Sequence, residues 1–96
     1  MMKLTAESRK MLNKIYEAES YVRFFYAQGR KAKAEEALNN AYNESIGELE
    51  KYRDSLDRKK DDFFSASVAC DEGKKVLESL AEELSLNVNK NTGRKA

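Results

Sequence analysis

Residues 39–48 read Asn39-Asn40-Ala41-Tyr42-Asn43-Glu44-Ser45-Ile46-Gly47-Glu48, and the choice between two helices and three turns on this stretch. Asn39, Asn40, Asn43, Ser45 and Gly47 crowd into it. Asparagine and serine offer the backbone side-chain hydrogen bonds that compete with helical ones, and glycine adds chain entropy. Ser45-Ile46-Gly47-Glu48 also has the spacing of a capping box, with Ser45 as N-cap and Glu48 reaching back to it. The stretch therefore predicts a turn near 43–47 with a helical arm on each side.

On the C-terminal side, Leu49, Tyr52, Leu56, Lys59, Phe63, Ala66, Cys70, Gly73, Leu77, Leu80 and Leu84 alternate spacings of three and four without a slip. That is a coiled-coil-like stripe held in one phase. On the N-terminal side, Thr5 is placed to cap a helix, and Met11, Ile15, Ala18, Val22 and Phe25 follow the same rhythm. Beyond Gly29, Ala34, Ala37, Leu38 and Ala41 resume an apolar face.

The fold expected from these stripes is all-α: an antiparallel helical hairpin with arms at about 5–42 and 48–86, completed to a four-helix bundle by dimerisation. The alternative is a monomeric three-helix bundle, in which Gly29 and the polar run Asp57-Arg58-Lys59-Lys60-Asp61-Asp62 form the turns. The unbroken phase through that run favours the hairpin. Residues 1–86 then make one helical domain. Residues 87–96, Asn-Val-Asn-Lys-Asn-Thr-Gly-Arg-Lys-Ala, are polar and aperiodic, as in a flexible basic tail.

Composition agrees with long helices. Proline is absent, only 4 glycines occur, and 36% of the residues are charged. Net charge is +1, but the two halves differ: residues 1–43 carry 8 basic and 5 acidic side chains, and residues 44–86 carry 7 basic and 12 acidic. A basic arm facing an acidic one suits antiparallel pairing, although exposed pairs select a partner more than they stabilise it. Met1-Met2-Lys3-Leu4-Thr5 lacks the apolar segment of a signal peptide, and no run is long enough to span a bilayer. Cys70 is the single cysteine, so no internal disulfide can form. A cytoplasmic location without membrane attachment is expected.

Chemistry has little to work with. Histidine is absent, which removes the usual acid–base group near neutral pH and rules out Ser/His and Cys/His pairs. Cys70 lies on the apolar stripe, where a buried thiol behaves as a small hydrophobe. Helical di-metal sites need a Glu-x-x-His pair, and no Cys-x-x-Cys or calcium-loop pattern occurs. The four glycines stand singly, unlike a phosphate-cradling loop. The reading is no enzyme, with no catalytic residue, cofactor or metal.

Two surfaces are candidates for binding. Tyr21-Val22-Arg23-Phe24-Phe25-Tyr26 places Val22 and Phe25 on the apolar stripe and Phe24, like Tyr16, far from it. A two-helix hairpin would leave Tyr16, Phe24 and Tyr26 in water, whereas a third helix would cover them. Phe64 and Val68, off the second stripe, raise the same question. Tyr16, Tyr21, Phe24, Tyr26 and Phe64 are thus the expected partner-binding residues, engaging a second copy, another protein, or both. The other surface is basic: Arg30, Lys31 and Lys33, with Lys90, Arg94 and Lys95 in the tail, could contact nucleic acid. Asp57, Asp61 and Asp62 offset the further cluster Arg58-Lys59-Lys60, and no recognition motif accompanies it.

Length, a hairpin and a central Gly47 resemble, in shape, the small exported helical hairpins that carry a central Trp-x-Gly. Ser45 stands where those have tryptophan, and no Tyr-x-x-x-Asp/Glu signal lies near the C-terminus, so the sequence is not placed among them. The function expected is a small helical adaptor, inhibitor, or assembly chaperone or scaffold acting through an aromatic helix face. A nucleic-acid-associated accessory protein is the alternative.

Overall fold

Four α-helical stretches and one π-helical turn account for nearly all of residues 4–88, the residues that the computed structural model describes. Helix α1 (Ala6–Ala27) starts at Thr5, whose side chain accepts the Ser8 N–H at 3.3 Å. The Thr5 N–H in turn donates to Ser65 Oγ at 2.8 Å, which ties the start of α1 to the first turns of the last helix. At its other end, Gly29 adopts φ 76°, a left-handed conformation open to glycine at little cost. There the Arg30 N–H donates to the Phe25 carbonyl at 2.9 Å and the Gly29 N–H to the Tyr26 carbonyl at 3.0 Å. This paired closure stops α1 and reverses the chain.

The stretch 39–48 does not turn. Helix α2 (Lys31–Asn40), a π-helical turn (Ala41–Ser45) and helix α3 (Ile46–Asp54) form one rod, with right-handed helical dihedrals at every junction. Ser45 makes no capping bond, and Gly47 is an ordinary helical residue with open space around its α-carbon. The expected hairpin, with arms at 5–42 and 48–86, is thereby corrected to the three-rod alternative. The physical reason lies in the register. Ile46 follows Leu38 by eight residues, so a plain α-helix would place it about 80° around the axis from Leu38. Widening one turn by a residue brings it back into line, and both side chains are fully buried. The apparent break in the apolar pattern is a phase slip absorbed inside the helix.

The real turn falls at residues 55–60, inside the stripe that looked continuous. Ser55 Oγ donates to the Tyr52 carbonyl at 2.7 Å, and Asp57 Oδ1 accepts the Lys59 N–H at 3.0 Å. These local side-chain bonds replace helical ones. Helix α4 (Asp61–Leu84) then opens with two aspartates, suited to the positive end of its dipole.

Helices α1 and α4 run in the same direction, and the α2–α3 rod runs opposite. The rod crosses obliquely: α2 lies mainly on α1, and α3 mainly on α4. The core holds Leu12, Ile15 and Val22 from α1; Leu38, Ile46 and Leu49 from the rod; and Cys70, Leu77 and Leu80 from α4. Gly73 leaves no room for a side chain: an added Cβ would stand 2.6 Å from Ile15 Cδ1 and 2.9 Å from Ile46 Cδ1.

Where α2 and α4 diverge, the chain after α4 fills the gap. Ser85 is left-handed at φ 56°, and Leu86 turns back and is buried. The Asn87 N–H donates to Glu35 Oε2 at 2.7 Å, and Asn39 Nδ2 donates to the Asn87 carbonyl at 2.9 Å. The first two residues of the expected tail are therefore held against α2. The rest of it, with Lys90, Arg94 and Lys95, lies outside the described residues. No helix among the described residues is long and apolar enough to cross a membrane.

Tyr42, in the π-helical turn, is buried, with its hydroxyl donating to Glu78 Oε2 at 2.9 Å. Burial first, and the Glu78 bond second, push its pKa up to about 12. An unfolded tyrosine ionises near 10, so the folded state holds this proton more tightly. The resulting stability is present below about pH 10 and disappears as pH rises towards 12, a loss of about 2–3 kcal/mol. Urea midpoints taken across that range should fall more steeply for the wild type than for Tyr42→Phe; equal slopes would contradict this origin.

Candidate protein-docking surface

The geometry of α1 divides the expected partner-binding aromatics among three places. Val22 and Ile15 point into the core, so the side chains on either flank of that line face α4 on one side and α2 on the other.

The flank towards α4 is laced shut by polar contacts. The Tyr16 hydroxyl donates to Glu72 Oε2 at 3.2 Å. Arg23 grips Glu83 with both terminal nitrogens, at 2.8 and 3.0 Å, and reaches Glu19 at 3.3 Å. The guanidinium holds the Glu83 carboxyl below the usual carboxylate range. Burial first and Glu72 second raise the Tyr16 hydroxyl. Tyr16 is thus engaged within the chain, with part of its ring still exposed.

The flank towards α2 is open. Tyr21 is 62% exposed there; Phe24, 55% exposed, stands one turn on, on the outer face of α1, next to the half-buried Phe25 with ring centroids 5.7 Å apart. Arg30 and Lys33 sit over the Phe25 ring at 5.2 and 5.9 Å. These cations lie within reach of the ring's negative face. Beside the rings, α1 and α2 enclose an open groove of about 420 Å³. Its floor is Ala18, Ala37 and Ala41, and its far end carries Glu44 and Ser45. Small side chains on the floor let another helix come close, and the Tyr21 and Phe25 rings form one wall.

Tyr26, beyond the last buried turn of α1, is exposed at the end of the bundle, and Phe64 is exposed on the outer face of α4 with Val68. Phe64 belongs to the end of the bundle opposite the α1–α2 turn. It packs edge-on against Phe63 at 6.4 Å, and the Arg58 guanidinium lies 5.9 Å from the Phe63 ring. Of the five expected residues, only Tyr21 lines the groove, with Phe24 beside it one helical turn away on the outer face of α1. The third helix covers none of the five fully.

Sequence reasoning missed Phe25, which it placed wholly on the buried stripe, and the alanine floor. The spacing of Ala37 and Ala41 carried that signal, but without a known partner for α2 it could not be told from ordinary packing. Arg30, Lys31 and Lys33 lie at and just after the α1–α2 turn. Arg58, Lys59 and Lys60 sit at the opposite end, so the two clusters do not form one basic track. Lys33 approaches Glu36 at 3.7 Å in an exposed pair. Cys70 is buried, and burial raises its thiol pKa above the ordinary value. A thiol held protonated this way is a poor nucleophile.

Compared with protein-family models, curated proteins and solved structures, the chain matches none, so its function rests on this geometry.

Proposed function

We propose that the protein is a non-enzymatic protein–protein interaction module, a small helical adaptor, inhibitor, or assembly chaperone or scaffold. Its docking surface is the α1–α2 flank. One observation carries the reading: Tyr21 and Phe24 stay more than half exposed although the bundle already has its third helix. Adjacent exposed aromatics beside a small-residue groove are the kind of anchor that dominates interface energies. The lack of histidine and the buried, protonated Cys70 fit a role without chemistry and a reducing, cytoplasmic setting. Nucleic acid is the weaker partner, because the described basic clusters lie at opposite ends of the bundle.

The test compares immobilised wild type with the double variant Tyr21→Ser/Phe24→Ser in capture from a soluble extract. Both side chains project outward, so the melting curve should move little. Bound protein should fall by at least about tenfold, the equivalent of roughly 1.4 kcal/mol at a binding hot spot. Identical captured sets for a folded variant and the wild type would discard the surface.

A further inference from the structure

We propose that the occupant of the α1–α2 groove is a second copy of this chain, docked antiparallel about a two-fold axis that crosses the groove midway between Lys33 and Glu44. This rests on the α1–α2 flank being a docking surface, and it names what docks there.

The argument is the distribution of charge along the groove. Lys33, with Glu36 one turn away, lines one end of the groove and Glu44 the other; Arg30 and Lys31, at the α1–α2 turn, add basic charge beyond the Lys33 end. Glu44 is exposed, and no ion pair holds it among the described residues. The one ion pair of Lys33 among the described residues is the long, exposed contact to Glu36 within its own helix. Two copies packed face to face with their helices parallel would bring the two basic ends together, which opposes association. The antiparallel arrangement instead sets Lys33 against the partner's Glu44, and two-fold symmetry makes the pair twice.

The same axis suits the apolar contacts. Lys33 beside the Phe25 ring and Lys14 beside Glu48 at 3.9 Å fix which levels of α1 and the α2–α3 rod stand side by side. The midpoint between Lys33 and Glu44 then falls level with Ala18 and Tyr21. A ring that close to a two-fold axis meets its own neighbourhood on the other copy, so Tyr21 lies over the partner's Ala18. An exposed ring in each copy and an alanine floor in each copy are self-complementary.

Sedimentation equilibrium or light scattering on the full chain tests this. The wild type should have a solution mass about twice the 11.0 kDa of one chain. Lys33→Glu and Glu44→Lys should each raise the dissociation constant by about tenfold, and the double reversal should restore it to within about threefold. Phe64→Ser, on the far face, should leave the mass unchanged. Circular dichroism checks that each variant keeps its helices. A wild type that stays monomeric at the highest soluble concentration overturns the proposal, as does a dimer indifferent to both single reversals. A dimer that the double reversal fails to restore overturns the antiparallel pairing. A monomeric wild type whose Tyr21→Ser/Phe24→Ser variant still loses a captured protein overturns the second copy alone and leaves the docking surface with another occupant.

Discussion

Gly73→Val is expected to destabilise the bundle by about 3 kcal/mol, lowering the melting temperature by roughly 12–24 °C. The whole molecule converges at this residue. A Cβ built there meets Ile15 Cδ1 at 2.6 Å, Ile46 Cδ1 at 2.9 Å and Leu12 Cδ1 at 3.7 Å. Those atoms are the ends of side chains, which in a looser place would swing aside. Here Ile15 and Ile46 are completely buried and belong to two different rods, so yielding means moving a helix. Valine adds two γ-carbons beyond the clash. Gly73→Ala grades the effect: alanine is better than glycine in a helix by about 1 kcal/mol, which offsets part of an overpacking cost of about 1–3 kcal/mol. Alanine should thus fall between wild type and valine in urea or thermal denaturation. A valine variant as stable as the wild type would mean that the three rods do not meet as described.

The second large effect comes from deletions. Removing the exposed Asn43 from the π-helical turn should leave a cooperatively folded bundle, at a cost of about 1 kcal/mol or less. The remaining residues close an ordinary α-helical turn, and Leu38, Ile46 and Leu49 keep their buried lines. Removing the equally exposed Lys75 from α4 should abolish the fold. Every residue on one side of the cut turns about 100° relative to the other side, so Ala66, Cys70 and Gly73 leave the face held by Leu77 and Leu80. If the helix slides to avoid this, Glu72 is carried into the place of Gly73, against Ile15 and Ile46. Either loss rivals the total stability of a domain this size, about 5–15 kcal/mol. Helical content and the presence of a cooperative melt report both results. Collapse of the Asn43 deletion, or survival of the Lys75 deletion, would remove the register account of residues 41–45.

That pair of deletions also locates where the sequence misleads. Asn43, Ser45 and Gly47 carry turn propensity, and Ser45 to Glu48 spells a cap, yet all of them are helical. Local preferences at these positions amount to about 1 kcal/mol each. Burying Tyr42, Ile46 and Leu49 is worth about 1.5–3 kcal/mol per side chain, and it decides. At residues 55–60 the error runs the other way. Leu56 and Lys59 keep the three–four rhythm, but the rhythm counts residues and does not test whether Ser55 and Asp57 bond the backbone. The docking surface divides similarly. That Phe24 points away from the apolar stripe follows from helix geometry, and it is exposed as that geometry requires. That Tyr16 is laced to Glu72, and that Phe25 forms the wall of a groove, depends on which helix lies on which flank of α1.

Taken alone, the sequence determined the all-α class, the cap at Thr5 and the buried line of α4 from Ala66 to Leu80. Each follows from the chemistry of residues within a turn or two of one another. Only the tertiary structure decided that there are three rods, that a π-helical turn and not a loop lies at 41–45, and that Tyr21 lies on an open flank while Tyr16 does not. The physical reason is common to all three: burial against distant helices is worth more than local propensity, and a one-residue change of phase sets which face each helix buries.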